Sequence, residues 1–156
     1  MLLLTIRKRK LISSLLVFVH FGLLILLTEL AAMKVSHRIM PVEALMTAGV
    51  SVALAAWTLF YNQPGNFNIS PLPKDWGVLV TTGPYRWVRH PMYTSVLLGA
   101  AALTLISGSS SGWVIWSALA IVLFVKSILK ERWMREQRPG YRTYIRESKR
   151  FLPWVF

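Results

Sequence analysis

The stretch GPYRWVRHPMY, residues 83–93, brings together the side chains of this sequence that are best placed to do chemistry. Arg89 and His90 stand directly before Pro91, a residue that favours the first turn of a helix. A helix N-terminus presents unpaired backbone N–H groups, so an arginine and an imidazole beside it form a site suited to a carboxylate or another anion. The alternative is that the same residues are interfacial charges within an aromatic belt of tyrosines and tryptophan.

A second candidate is Glu131, a carboxylate in an otherwise basic segment. Glu131 and Arg135 are spaced i,i+4, as are Arg132 and Glu136, and such pairs commonly do no more than stabilise a helix. The functional alternative is that Glu131 reaches the arginines of the 83–93 stretch or a hydroxyl of a bound ligand. Spacing alone favours the helix pairing.

The residues needed for several other chemistries are missing. The chain has no cysteine, which removes disulfides, thiolate nucleophiles and cysteine metal sites together. Its three histidines are far apart in the sequence and lack zinc-ligand spacing. There is no P-loop and no GxGxxG, so neither a phosphate cradle nor a Rossmann cofactor site is predicted, and no metal.

Long apolar segments must position these residues. Hydrophobic residues make up 54% of the 156-residue chain, whose mean hydropathy is +0.49. A hydrocarbon core of about 30 Å needs roughly 20 apolar residues per helix. The prediction is an all-α integral membrane protein, a single domain over 1–156, with a loop at 62–91 and a C-terminal helical segment at 130–156. Its four predicted transmembrane helices are 11–32, 41–61, 92–108 and 112–129.

Three further features accompany the apolar segments. His20 lies in the middle of the first, where a neutral imidazole hydrogen-bonded to a neighbouring helix is expected rather than a functional group. Lys126 lies in the fourth and is expected to extend its ammonium group to the interface. The final hexapeptide FLPWVF is expected to dock on the interface or the bundle through Trp154 and Phe156.

The charge distribution predicts an orientation. The chain has 18 Lys and Arg against 6 Asp and Glu, a net charge of +12. Sixteen of the basic residues lie before the first predicted span, in the 62–91 loop or from Lys126 onward, and only Lys34 and Arg38 face the other side. The positive-inside rule then makes both termini and the loop cytoplasmic, in a bacterial inner membrane or its equivalent. The basic surface is assigned to anionic lipid and not to nucleic acid.

Two segments resemble the isoprenylcysteine carboxyl methyltransferase family, which includes related bacterial phospholipid methyltransferases. They are LVTTGPYRWVRHPMY at 79–93 and KERWMREQRPGYRTYIRESKRFLP at 130–153. The family pattern is a GPYxxxRHPxYxG-type loop followed by an EE…GxxY-type segment with a basic, aromatic and proline-containing end. The resemblance covers 62–153. It departs from the pattern at Lys130-Glu131, where the family has paired glutamates, and at Thr94-Ser95, where it has glycine.

The resemblance implies S-adenosylmethionine as methyl donor, bound by the loop and the C-terminal segment, and a lipophilic acceptor that enters from the bilayer. Methyl transfer from a sulfonium needs alignment and exclusion of water more than an acid or base. Arg89 and Glu131 are the predicted catalytic residues. Glu131 is expected either to bind a ribose hydroxyl of the cofactor or to hold Arg89 in place. The predicted cofactor-binding residues are Val80, Thr82, Gly83, Tyr85, Arg89, His90, Tyr93, Glu131, Tyr141 and Tyr144.

The acceptor stays open at this stage. A prenylcysteine carboxylate, a phospholipid amine, a quinone-like hydroxyl and a small thiol would all suit an apolar tunnel. Two other functions also stay open. One is a membrane reductase related to sterol reductases, which would bind NADPH but normally has more spans, and the other is a non-catalytic scaffold whose basic face binds anionic lipid.

Overall fold

The computed structural model describes residues 2–35, 40–62, 66, 68–73 and 77–153. These residues form five α-helices and one 3-10 turn, and none of them belongs to a β-strand. The helices are α1 (Leu2–Val35), α2 (Val42–Tyr61), α3 (Pro91–Ser107), α4 (Ser110–Gln137) and α5 (Tyr141–Glu147), and the 3-10 turn is Gly83–Arg86. Arg38, Lys74, Trp154 and Phe156, which entered the charge and tail predictions, lie outside the described residues.

Within the described ranges, three helices are long and apolar enough to cross a membrane. They are Ile6–Val35 of α1, α2 and α4, while α3 is a shorter apolar helix. The prediction of an all-α integral membrane protein is confirmed. Two helices extend past their predicted bounds. The basic residues before position 11 continue α1, and the charged residues after 129 continue α4 to Gln137, because arginine, lysine and glutamate are good helix formers. The division into one domain with a cofactor loop stays a prediction.

Helix α3 lies at the centre and packs against α1, α2 and α4. Small residues bring α2 and α3 together: Ser51 Oγ donates to the Ser95 carbonyl at 2.8 Å, and a Cβ on Gly99 would lie 3.0 Å from Ser51 Oγ. Trp116 of α4 donates its indole N–H to the Leu97 carbonyl of α3 at 2.9 Å. Close approach through small residues is the usual way that membrane helices pack.

Helices α1 and α4 are antiparallel neighbours, with polar contacts at two levels. At one level Arg9 forms a salt bridge with Glu136 at 2.7 Å. At the other, His20 accepts a hydrogen bond from Lys126 at 3.2 Å, which agrees with the expected contact of His20 with a neighbouring helix. The expectation for Lys126 is wrong. Its side chain is 0% exposed because it points into the bundle instead of toward the interface.

The chain after α5 pairs with the segment just before α3. Val88 and Lys149 form an isolated parallel bridge, in which Arg89 N–H donates to the Lys149 carbonyl at 2.7 Å and Lys149 N–H to the Trp87 carbonyl at 2.9 Å. Two residues beyond Lys149, the Phe151 carbonyl accepts a hydrogen bond from Thr94 Oγ1 at 2.9 Å. The described part of the final hexapeptide therefore docks on the bundle.

Candidate functional site

The local structure of the 83–93 stretch follows from its glycine and prolines. Gly83 has φ +60°, and a Cβ there would lie 2.4 Å from the Tyr61 ring, so both conformation and space require glycine. Pro91 is the first residue of α3 with His90 as N-cap, as the sequence predicts. Tyr144 Oη donates to the Tyr85 carbonyl at 2.6 Å, which ties α5 to the 3-10 turn.

The side chains of Glu131, Arg89, His90 and Arg150 meet in one cluster, called here the Glu131 centre. Glu131 Oε1 accepts from Arg89 Nε at 2.9 Å and from His90 Nε2 at 3.2 Å. Arg150 donates to both carboxylate oxygens, from Nε to Oε1 at 3.1 Å and from Nη2 to Oε2 at 2.8 Å. The Glu131 side chain is only 1% exposed. This cluster joins the loop, α4 and the C-terminal segment.

The helix-pairing alternative is half right. Arg132 and Glu136 do approach at 3.7 Å on the exposed face of α4. Arg135, however, donates to the backbone carbonyl of Glu131 and not to its carboxylate. The carboxylate points the other way, into the protein, because three donor side chains from other segments meet there.

Arg89 has two further acceptors in the C-terminal segment. Its Nη1 donates to the Ile145 carbonyl at 3.2 Å and to the Ser148 carbonyl. Its side chain is 9% exposed, so the guanidinium is held among protein oxygens on several sides. A planar guanidinium with donors in a fixed fork suits this role, since it can satisfy a carboxylate and two carbonyls at once.

Burial keeps the imidazole and the phenols around this site uncharged. It lowers the pKa of His90 to about 4, against the opposing effect of Glu131, so the neutral ring donates its Nε2–H to that carboxylate. Burial also raises the pKa of Tyr85 to about 12 and raises the pKa values of Tyr141 and Tyr144. The hydrogen bond to Glu131 raises the pKa of Arg150 further.

His90 should make the folded chain less stable in mild acid. The unfolded histidine takes up a proton near its ordinary pKa of 6.5, whereas the folded one does so only near 4, so stability falls as pH drops between these values. We expect a loss on the order of 3 kcal/mol across this range, since one pKa unit corresponds to about 1.4 kcal/mol. The measurement is the free energy of unfolding in detergent against pH. His90→Gln keeps a donor to Glu131 and should flatten the slope, and an unchanged slope would contradict the assignment.

A cavity of about 260 Å³ lies between the loop, the C-terminal segment and helices α1, α3 and α4. This approaches the lower end of typical small-molecule sites, about 300–1,000 Å³. Of the predicted cofactor-binding residues, those that line it are Val80, Tyr85, Arg89, His90, Tyr93, Tyr141 and Tyr144. The other three do not line it. Thr82 is exposed and Gly83 packs on Tyr61. The Glu131 carboxylate lies outside the cavity wall, where it is bound within the Glu131 centre.

Sequence reasoning missed several residues of this region. Arg150 binds Glu131 through a contact between distant segments, and no spacing rule predicts it. Lys126 and Lys130 both line the cavity and are one turn apart on α4. A signal for them was present, because a lysine inside an apolar segment and a second one at i+4 place two cations on one helix face.

Comparison with known proteins gives two matches. The phospholipid methyltransferase family model matches residues 51–138, more than half of the chain. The cobalt-zinc-cadmium resistance protein CzcN of Cupriavidus metallidurans is 32% identical over 77 residues, which cover 48% of this chain and 35% of that protein. The chain thus spans about a third of the length of this relative. The family match includes the second half of α2, all of α3 and α4, and the loop that carries Arg89 and His90, and it agrees with the family predicted from the sequence. The chain belongs to the phospholipid methyltransferase family.

Proposed function

We propose that the protein is a membrane methyltransferase that takes a methyl group from S-adenosylmethionine and transfers it to a lipophilic acceptor. The observation that carries the proposal is the cavity, which runs from the loop at Asn66 and Val78 to the interior of the bundle at His20 and Val96. One end is polar and close to the loop, and the other lies among apolar helices. Such a cavity can receive a polar donor and a bilayer-soluble acceptor from opposite ends.

The lining residues fit S-adenosylmethionine. When bound, it supplies an electrophilic methyl group on a sulfonium, a cation that favours aromatic faces. Tyr85, Tyr141, Tyr144 and the His90 ring supply such faces, and burial keeps these four groups uncharged at neutral pH. Lys130, also in the lining, offers a cation for the amino-acid carboxylate of the donor.

We assign Glu131 and Arg89 a positioning role. Their charged groups bind one another and neighbouring backbone, and the Glu131 carboxylate is not part of the cavity wall. Between a ribose hydroxyl and a brace on Arg89, the two roles left open by the sequence, this arrangement supports the brace. The Glu131 centre holds the loop against the C-terminal segment. A methyl transfer requires alignment of the reacting groups and exclusion of water, and a fixed position of these two segments serves both.

The test is ligand binding by the purified protein in mild detergent. S-adenosylhomocysteine should raise the melting temperature, and NADPH should not. Tyr141→Leu, which removes one aromatic face, should weaken S-adenosylhomocysteine binding about tenfold, since a cation or ring contact of this kind contributes roughly 1–2 kcal/mol. Trp113→Ala is the matched control, because Trp113 is a partly exposed aromatic outside the cavity lining. Stabilisation by NADPH and not by S-adenosylhomocysteine would overturn the proposal in favour of a reductase.

A transfer assay then addresses the acceptor. The protein is incubated with methyl-labelled S-adenosylmethionine and a total lipid extract, and the labelled product is isolated. A binding-competent protein that labels no lipid and no lipophilic small molecule would contradict the transferase activity.

A further inference from the structure

The deep end of the cavity contains three polar side chains that the Glu131 centre does not use. They are His20 of α1, Tyr93 of α3 and Lys126 of α4, and all three line the cavity. They are 5%, 8% and 0% exposed, respectively. Lys126 Nζ lies 3.2 Å from His20 Nδ1 and 5.6 Å from the centroid of the Tyr93 ring. Polar groups buried this deeply normally have partners.

Two of their atoms have none among the described residues. His20 Nε2 and Tyr93 Oη are buried and make no hydrogen bond there. An unsatisfied buried donor costs about 1–3 kcal/mol. Because both side chains also line the cavity, a molecule bound in it is well placed to satisfy them.

The hydrogen-bond pattern predicts what that molecule offers. The Lys126 ammonium can only donate, so His20 Nδ1 accepts and the proton of the neutral imidazole lies on Nε2. His20 therefore presents an N–H, Tyr93 an O–H, and Lys126 its remaining N–H groups. A group that only accepts hydrogen bonds, such as a carboxylate or phosphate oxygen, matches this set.

Charge points to the same conclusion. Among the described lining residues are Lys126 and Lys130, and none of the described lining residues is Asp or Glu. The nearest carboxylate of the site, Glu131, is held by Arg89, His90 and Arg150. A buried ammonium without an opposite charge is costly, by several kcal/mol. An anion in the cavity would offset that cost.

The position of the three residues indicates that the molecule bound in the cavity is an amphiphile. His20 is eleven residues along α1 from Arg9, which pairs with Glu136, and this separation corresponds to about 16 Å of helix. That depth is about half of a hydrocarbon core of roughly 30 Å. Phe21 and Leu24 of α1 and Val96 of α3 line the same part of the cavity, and Phe21 is also 42% exposed on the outside. An acyl chain can lie against these residues.

We propose that His20, Tyr93 and Lys126 form a binding site for the oxyanion of an acidic amphiphile, the class of acceptor on which this enzyme acts. The inference deepens the proposed function, since it names the chemistry of the acceptor. It also separates two regions of one cavity: the aromatic region near the loop holds the methyl donor, and the donor triad in the bundle orients the acid group of the acceptor.

The test compares matched ligands on the wild-type protein in a non-ionic detergent. Dodecanoate and dodecyl phosphate carry an oxyanion, whereas methyl dodecanoate and dodecanol have similar chains without the charge. We expect the acids to bind at least about tenfold more tightly, the equivalent of about 1.4 kcal/mol. Equal binding of dodecanoate and its methyl ester would overturn the proposal. Inorganic phosphate that binds as tightly as dodecyl phosphate would overturn its amphiphile part.

Variants locate the site. Lys126→Met should weaken dodecanoate binding about tenfold or more, and Tyr93→Phe, which removes only a hydroxyl, about three- to tenfold, as expected for hydrogen bonds to a charged group. Arg132→Met is the control, because it removes a cation from an exposed position on the same helix. Unchanged dodecanoate binding in both cavity variants would overturn the assignment. If Lys126→Met does not fold, Tyr93→Phe and the wild-type comparison still decide.

S-adenosylhomocysteine binding is measured on the same samples. Wild-type protein that binds S-adenosylhomocysteine but discriminates no acid from its ester would disprove the oxyanion site alone. Protein that discriminates them through Lys126 but does not bind S-adenosylhomocysteine would disprove the methyltransferase proposal while leaving the oxyanion site in place.

Discussion

Replacing Glu131 by glutamine should lower the free energy of unfolding by about 3–5 kcal/mol, the usual effect of breaking a buried ion pair. The glutamine side chain has nearly the same shape, but it removes the charge between two guanidinium groups and turns one acceptor oxygen into a donor amide. The side chains of Arg89 and Arg150 are 9% and 19% exposed, so water compensates them poorly. Much of the total stability of an ordinary domain, about 5–15 kcal/mol, would be lost.

Glu136→Gln is the matched control for this prediction. Glu136 lies on the same helix and also contacts two arginines, Arg9 and Arg132, but its side chain is 42% exposed. Exposed ion pairs contribute about 0–1 kcal/mol, so this variant should melt close to wild type. Both are measured by denaturant titration in mixed micelles, with S-adenosylhomocysteine binding as a second readout. If the two variants lose equal stability, the burial argument for the Glu131 centre fails.

The helices of this fold could be predicted from the sequence because the signal is local. A run of about 20 apolar residues is sufficient to identify a membrane helix. Three such runs correspond to α1, α2 and α4, and a shorter apolar run corresponds to α3. The start of α3 at Pro91 follows from proline chemistry in the same way. The loop motif also carried its own signal, since arginine, histidine and proline in succession beside an apolar span are unusual.

The partners of these residues could not be predicted, because they are set by packing. Glu131 has an arginine at i+4, and only the docking of the C-terminal segment, through the bridge between Val88 and Lys149, turns its carboxylate toward Arg150 instead. Lys126 is a similar case. It lies close enough to the end of its predicted span for the ammonium group to reach the interface. Its hydrogen bond to His20 on the facing helix holds the ammonium group inside the bundle instead.

Arg89→Lys should weaken S-adenosylhomocysteine binding about 10- to 100-fold while the positive charge is retained. Arg89 binds Glu131 from the loop and reaches the carbonyls of Ile145 and Ser148 in the C-terminal segment. A lysine ammonium is a compact point charge, and it cannot hold donors in the planar fork that these three acceptors require. The loop and the C-terminal segment should therefore move apart, and both contribute tyrosines to the cavity.

Calorimetric titration measures this loss, with Arg86→Lys as control, since Arg86 is an exposed arginine in the same stretch.

The geometry also predicts how the two largest effects combine. In the Glu131→Gln variant, the Arg89 guanidinium has already lost its counter-charge. Arg89→Met should therefore lower the free energy of unfolding by about 1–3 kcal/mol less in that variant than in the wild type. Additive costs would mean that Arg89 and Glu131 act independently, and Arg89 would then support the cavity through its backbone acceptors alone.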